Sequence, residues 1–191
     1  MNKKTGLYFG SFNPVHIGHL AIANYIACYS DLGEIWFIVS PQNPFKDKQS
    51  LLAERQRLYM VNLAIAGDTR FKACDIEFSL PRPSYTINTL AYLSEKHPDR
   101  QFLPIVGSDN MKSFHKWKNS QQILEQYGLL VYPRLNAETN AHSMLNATVV
   151  DAPHIEISSS FIRNAIAEAK DVRHFLHPDV WKYIEEMNFY R

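Results

Sequence analysis

The sequence predicts an α/β fold: a Rossmann-like, doubly wound, largely parallel sheet with helices on both faces. Three observations predict it. Short β-rich runs alternate with longer stretches of helical periodicity from one end of the chain to the other. The β-rich runs are nearly continuous in apolar residues, as strands covered on both faces are. No internal repeat, low-complexity tract or linker interrupts the alternation, so residues 1–191 read as one domain.

Each element follows from its own residues. Leu7-Tyr8-Phe9 is a short apolar run that stops at Gly10, and a helical pattern runs from Pro14 to Tyr29. Ile35-Trp36-Phe37-Ile38-Val39 is a buried strand. Leu51 to Ala66 is amphipathic and is stopped by Gly67. Phe71 to Phe78 alternates loosely and reads as a strand; Ser84 to Lys96 reads as a helix closed by Pro98. Phe102 to Val106 is a strand, Asn110 to Tyr127 is mainly helical, and Leu129-Leu130-Val131-Tyr132 is a strand. Asn136 to Asn146 is a polar surface excursion before a last short strand, Thr148-Val149-Val150. Ser159 to Lys170 and Pro178 to Met187 close the chain as helices. Crossovers in such a sheet are right-handed.

Ligands of open α/β sheets bind beyond the carboxyl ends of the strands. The loops there are Gly10–Asn13, Ser40–Lys48, Leu80–Ser84, Gly107–Asn110, Pro133-Arg134 and Asp151–Ser160, and they hold most of the unusual residues. Net charge is only +1 over 191 residues. That balance excludes a protein that coats nucleic acid or a membrane surface, so an anionic ligand must be held by a local site. Cys28 and Cys74 match no metal spacing and read as buried thiols of a reducing compartment. The first apolar run is too short for a signal peptide and no stretch reaches membrane-spanning length, which makes the cytoplasm the default.

The segment after the first strand carries the strongest chemistry: Gly10-Ser11-Phe12-Asn13-Pro14-Val15-His16-Ile17-Gly18-His19. Gly10 permits a tight turn and lets phosphate approach the backbone. Asn13 is a good helix N-cap and Pro14 a favoured first helical residue. Free N–H groups at that helix end make an anion site. His16 and His19 share a helix face, and Gly18 removes a side chain that would block a ligand there. Two imidazoles beside a helix N-terminus suit a polyphosphate, to which they can donate as charge moves in a transition state. A surface histidine pair is the bland reading of each residue alone; a metal pair is disfavoured because no third ligand is fixed nearby.

With that motif the chain resembles the nucleotidyltransferase superfamily, whose hallmark is His-x-Gly-His after the first strand, here His16-Ile17-Gly18-His19. The superfamily's second signature is present as Ile157-Ser158-Ser159-Ser160-Phe161-Ile162-Arg163. Class I aminoacyl-tRNA synthetases share the first element, but their lysine-rich signature is absent. Within the superfamily the chain is similar nearly end to end to the bacterial nicotinate-nucleotide adenylyltransferases. The likeness is carried by Ser40-Pro41-Gln42-Asn43-Pro44-Phe45-Lys46, by Pro83-Ser84-Tyr85-Thr86-Ile87-Asn88-Thr89-Leu90, by Val106-Gly107-Ser108-Asp109 with Trp117, and by Tyr132-Pro133-Arg134. Phe9 stands where the family usually has a glycine, Asn13 where it often has aspartate, and Ser160 where it often has threonine.

The resemblance implies a single nucleotidyltransferase domain that transfers AMP from ATP to nicotinate mononucleotide. It implies that ATP is held by Gly10, Ser11, Phe12, His16, Gly18, His19, Gly107, Asp109, Arg134, Ser159, Ser160 and Arg163. His16, His19, Lys46 and Arg163 are implied as the catalytic group, with Lys46, Tyr85, Thr86 and Trp117 around the mononucleotide and its pyridine ring. Mg2+ is implied as arriving with ATP, because no dedicated carboxylate cage is visible. Asp109 is read equally as a helix N-cap, and Arg55-Gln56-Arg57 as a solvated helix face. A homo-oligomer is compatible with the sequence. Phosphopantetheine adenylyltransferase, a cytidylyltransferase and a catalytically silent nucleotide-binding domain are the rival readings.

Overall fold

The computed structural model describes residues 3–41, 51–135, 141 and 144–191. Among these residues six strands form one sheet: β1 (Lys3–Gly10), β2 (Glu34–Val39), β3 (Phe71–Cys74), β4 (Arg100–Gly107), β5 (Leu129–Tyr132) and β6 (Ala147–Val149). Their order is β3-β2-β1-β4-β5-β6, and every pairing is parallel. This is the doubly wound arrangement that the alternation predicts. Among the described residues, seven α-helices flank the sheet: α1 (Ile17–Tyr29), α2 (Glu54–Ala64), α3 (Thr86–Lys96), α4 (Ser108–Met111), α5 (Ser120–Gln126), α6 (Ser159–Ala167) and α7 (Pro178–Glu186).

Side chains in the strands divide between two cores at period two, as a pleated sheet requires. Tyr8, Ile35, Phe37, Val39, Ile105 and Leu130 face one core, built with α1, α2, α6 and α7. Leu7, Trp36, Ile38, Phe102, Val106, Leu129 and Val131 face the other, built with α3, α4 and α5. The runs of the inner strands are nearly continuous because their residues are covered on one side or the other, whereas the edge strands β3 and β6 leave Lys72 and Thr148 exposed.

Several elements differ from the sequence reading. Helix α1 starts at Ile17, not Pro14, and its N-cap is His16 in an extended conformation. Phe12 occupies the left-handed region at φ 45°, which breaks the chain direction before the helix begins. Only Phe71–Cys74 of the segment 71–78 is a strand; Ile76–Phe78 is a turn of 3-10 helix. The segment 110–127 is broken around Phe114–Lys116 and at Asn119, whose φ is 54°. Cys28 is exposed on α1, whereas Cys74 is buried; neither is in a disulfide. The excursion at 136–146 and the loop from 42 to 50, including Lys46, lie wholly or mostly outside the described residues.

The register sets where a ligand can sit. Gly10 ends β1 beside Val39 of β2, and Gly107 ends β4 beside Tyr132 of β5. The chain leaves β1 toward β2 on one side and enters β4 on the other, so β1/β4 is the switch point of the sheet. Loops diverge there and leave a crevice at the carboxyl edge. At the opposite edge, Glu34 closes the sheet through ion pairs to Lys3 and Arg100.

Candidate active site

The crevice at the switch point is lined by Tyr8, His16, His19, Tyr132, Arg134 and Ile155. Its floor is the loop that leaves β1. Gly10 is needed there for packing: a Cβ would come within 2.7 Å of the Phe12 ring. That ring is only 1% exposed and packs edge-on against Tyr8 and His19. Phe12 therefore serves the loop through its backbone, with its side chain in the core.

The carbonyls of this loop are engaged from behind. Ser40 N–H donates to the Gly10 carbonyl at 2.9 Å. Arg57 Nη1 donates to the Ser11 carbonyl at 2.5 Å. Arg163 Nη1 donates to the Asn13 carbonyl at 2.8 Å, and Ser159 Oγ to the Pro14 carbonyl at 2.9 Å. The Asn13 side chain does not cap α1. Its Oδ1 accepts from Leu52 N–H at 3.2 Å and from the Tyr190 hydroxyl at 2.9 Å. A loop whose carbonyls are held this way has N–H groups to offer an anion.

His16 and His19 do come together, with ring centroids 3.7 Å apart and planes 29° from parallel. Their environments differ. His16 is 3% exposed, and burial, with the Arg134 charge second, lowers its pKa to about 3. Burial thus favours its neutral imidazole form at neutral pH. His19 Nδ1 accepts from the His16 backbone N–H at 3.2 Å, which leaves the ring proton on Nε2 as a donor. Gly18 makes room for the histidine itself: a Cβ would lie 3.0 Å from His16 Nδ1 and 3.2 Å from Ile155.

The far wall comes from β4 and β5. Ser108 Oγ accepts from the Arg134 backbone N–H at 2.8 Å, which ties the two strand ends together. Gly107 is the N-cap position of α4, so Asp109 is not the cap. The Asp109 carboxylate, 55% exposed, folds back over Gly107 and approaches Arg134 Nε to 4.0 Å. Tyr8 and Tyr132 place their hydroxyls 3.4 Å apart beneath it; burial, helped by Tyr132, pushes the Tyr8 pKa well up.

The second signature packs onto the first. Ser158 Oγ caps α6 by accepting from Phe161 N–H at 3.1 Å, and Ser160 Oγ accepts from Arg163 Nη2 at 3.3 Å. Among the described residues, four buried side-chain polar atoms lack a partner, and three belong to His16, Arg134 and Arg163. Unpaired buried guanidinium N–H groups at a cleft favour an oxyanion ligand.

Tyr85, Thr86 and Trp117 lie away from the histidines. Tyr85 is the N-cap position of α3, and Thr86 begins that helix. Tyr85 and Trp117 both pack on the edge of the second core, with Trp117 5.5 Å from Phe114. Lys118 Nζ lies 4.8 Å over the Tyr85 ring.

Two residues escaped the sequence reading. Arg57 is fully buried, not solvated. Besides Ser11 it reaches the carbonyls of Ser40 at 2.8 Å, Pro41 at 3.0 Å and Leu52 at 2.9 Å. A signal was present: Arg57 occupies the stripe of Met60, Val61 and Ala64, at i, i+3, i+4 and i+7, where an apolar residue is expected. Glu77, 2% exposed, accepts from Ser84 Oγ at 3.0 Å and Thr89 Oγ1 at 2.8 Å, and so holds the turn into α3. Nothing in its sequence context marked it.

Comparison with known proteins agrees with this geometry. The cytidylyltransferase-like family model matches residues 7–165. A protein of Christiangramia forsetii named "probable nicotinate-nucleotide adenylyltransferase" is 53% identical, with 100% of both chains covered. A protein of the same name from Flavobacterium johnsoniae is 50% identical over 98% of this chain and 99% of that one. Among solved structures, Plasmodium falciparum nicotinic acid mononucleotide adenylyltransferase complexed with NaAD shares the fold. Its TM-score is 0.82 at 21% identity, with 98% of this chain and 97% of that one covered.

Proposed function

The chain belongs to the cytidylyltransferase-like family and, within it, to the nicotinate-nucleotide adenylyltransferases, and from that premise we propose how its own residues carry the reaction. The reaction transfers AMP from ATP to nicotinate mononucleotide, giving deamido-NAD and pyrophosphate. A phosphate oxygen of the mononucleotide attacks the α-phosphorus in line. The new P–O bond forms as the bond to the β-phosphate oxygen breaks, and the electron pair leaves on pyrophosphate. The attacking group is already anionic, so catalysis is positioning plus charge stabilisation.

The observation that carries the assignment of roles is the stacked His16–His19 pair above a loop whose carbonyls are turned to donors behind it. The N–H groups of Gly10, Ser11 and Phe12 cradle phosphate. His19 donates from Nε2 to the oxygens on which charge develops. His16, buried and neutral, holds the ring of His19 in place and lines the floor. Arg163 and Arg134 bring positive charge from either side, and Ser159 and Ser160 fix Arg163 and its loop. Gly107 and Asp109 face the ribose. Tyr85, Thr86 and Trp117 hold the pyridine ring, with Lys46 as a further phosphate cation from the loop at 42–50. Among the described residues no group of three or more carboxylate, histidine or cysteine ligands could hold a metal by itself, and the half-exposed Asp109 carboxylate suits one that keeps its waters and is held by ATP phosphates. Mg2+ brought in this way neutralises phosphate charge, and Asp109 would touch its hydration shell. The whole of 1–191 acts as one catalytic domain, located in the cytoplasm; among the described residues no helix is long and apolar enough to cross a membrane.

The test is pyrophosphate release from MgATP with nicotinate mononucleotide, nicotinamide mononucleotide or phosphopantetheine as acceptor. Turnover is expected with the first, and kcat/KM is expected to fall by orders of magnitude with the second. By resemblance to the family, main-chain N–H groups around Thr86 and after Trp117 meet the ring substituent; an amide presents NH2 to donors that a carboxylate would satisfy, which costs about 1–3 kcal/mol per unmatched group. His19→Ala should lower kcat roughly a hundredfold in a folded protein. Turnover with phosphopantetheine alone, or an unchanged kcat in His19→Ala, contradicts the assignment.

A further inference from the structure

Arg57 is the least explained charge in the molecule. It lies on the inner face of α2 with no exposed surface, and it makes no ion pair with any carboxylate among the described residues. The carboxylate one turn before it, Glu54, pairs instead with Arg82 at 2.7 Å. Burial lowers the Arg57 pKa to about 10, which still leaves the group charged at neutral pH. An apolar residue would fill the α2 stripe without the desolvation that a buried cation requires. Stability alone therefore does not explain an arginine here.

Its contacts show what it organises. Nε and both terminal nitrogens donate to four carbonyls on three segments: Ser11 after β1, Ser40 and Pro41 after β2, and Leu52 ahead of α2. One planar fork thus fixes the spacing between the first two strand-end loops. Lysine has the charge but not the fork. All four hydrogen-bond partners are neutral carbonyls; Glu54 offsets part of the charge from a distance, but no carboxylate among the described residues forms an ion pair with the guanidinium behind the Ser11 carbonyl.

We propose that Arg57 is a positioning residue for adenylyl transfer: it sets the height of the Gly10–Asn13 loop and places an unpaired cation beneath the ATP phosphates. This rests on reading that loop as the phosphate site. Geometry and charge make separable contributions. The fork places the loop for the transition state and is read in kcat; the charge attracts the polyanion and is read in the KM for ATP and its salt dependence.

The experiment uses the full chain with Arg57→Lys, Arg57→Met and, as a stability control at the opposite sheet edge, Glu34→Gln. Thermal melting identifies the folded variants. Arg57→Lys should lower kcat about a hundredfold, the cost of a loop misplaced by about 1 Å, with KM for ATP nearly unchanged. Arg57→Met should show the same loss of kcat and, in addition, a KM for ATP raised about tenfold that rises less steeply with salt than in the unsubstituted protein, because Arg163 and Arg134 remain. Glu34→Gln should lose stability and keep both constants. In the unsubstituted protein, the Arg57 Nε–H resonance should shift when a non-hydrolysable ATP analogue binds. Folded Arg57 variants with unchanged kcat and KM overturn the proposal. So does kinetic loss in Glu34→Gln equal to theirs. Should neither Arg57 variant fold, an Nε–H resonance unmoved by the analogue overturns it. A silent His19→Ala would instead remove the phosphate-site reading on which the proposal rests.

Discussion

At the scale of single residues, the site is built from side chains that hold one another more than from side chains that reach into solvent. His16 is the clearest case. Its pKa near 3 in the folded protein lies below the ordinary histidine value of 6.5, so the unfolded chain binds the extra proton first. Stability contributed by His16 is therefore complete above about pH 6.5 and is lost as pH falls from there toward 3. By pH 5 the loss should be roughly 2 kcal/mol. Urea unfolding at pH 7 and pH 5 should show it, and the pH-dependent difference should shrink in His16→Gln. A His16→Gln protein with the same pH slope would mean that the imidazole is not held neutral. Gly10 and Gly18 carry the same lesson. The sequence reading left both empty for a ligand, but Phe12 and His16 occupy the space beside them.

At the scale of elements, periodicity located every strand and every long helix, because each strand has a covered face on either side and each long helix one apolar stripe. Boundaries near the site were less legible. Asn13-Pro14 has the chemistry of a helix start, yet α1 begins at Ile17, because Asn13 Oδ1 is claimed by Leu52 and Tyr190. Those partners lie 39 and 177 residues away, beyond any local signal. Arg57 was hidden for a related reason: a charged residue in a helix reads as solvated unless its carbonyl partners are known. Glu77 was hidden because Ile76–Phe78 looks like the end of a strand and is a 3-10 turn that aims the carboxylate under α3. Glu77→Ala leaves two hydroxyls without their acceptor and should cost about 1–3 kcal/mol in stability. On the proposal that Tyr85 and Thr86 hold the pyridine ring, it should also raise KM for nicotinate mononucleotide while leaving KM for ATP unchanged. Equal effects on both constants would place Glu77 outside that subsite.

At the scale of the whole molecule, the strand order puts the crevice between the two halves of the sheet; from the β-α alternation the sequence predicted the carboxyl edge of the strands, but not the strand order that divides it. What it did not predict is that the back of the phosphate loop is shared by distant parts of the chain: α2 through Arg57, α6 through Arg163, and the segment after α7 through Tyr190. The Tyr190 hydroxyl is buried against Asn13, and burial raises its pKa well above the usual value for tyrosine. If the loop is the phosphate site as proposed, that contact links tail docking to nucleotide affinity. Linkage is reciprocal, so whatever free energy the docked tail lends to ATP binding, bound ATP must return to the docking of the tail. Amide hydrogen exchange across 178–190 should therefore slow when an ATP analogue is added, and the effect should be smaller in Tyr190→Phe. Exchange there that ignores the nucleotide would mean the two are independent. If the coupling holds, slow exchange in the last helix becomes a remote gauge of nucleotide occupancy, readable without any probe placed in the crevice.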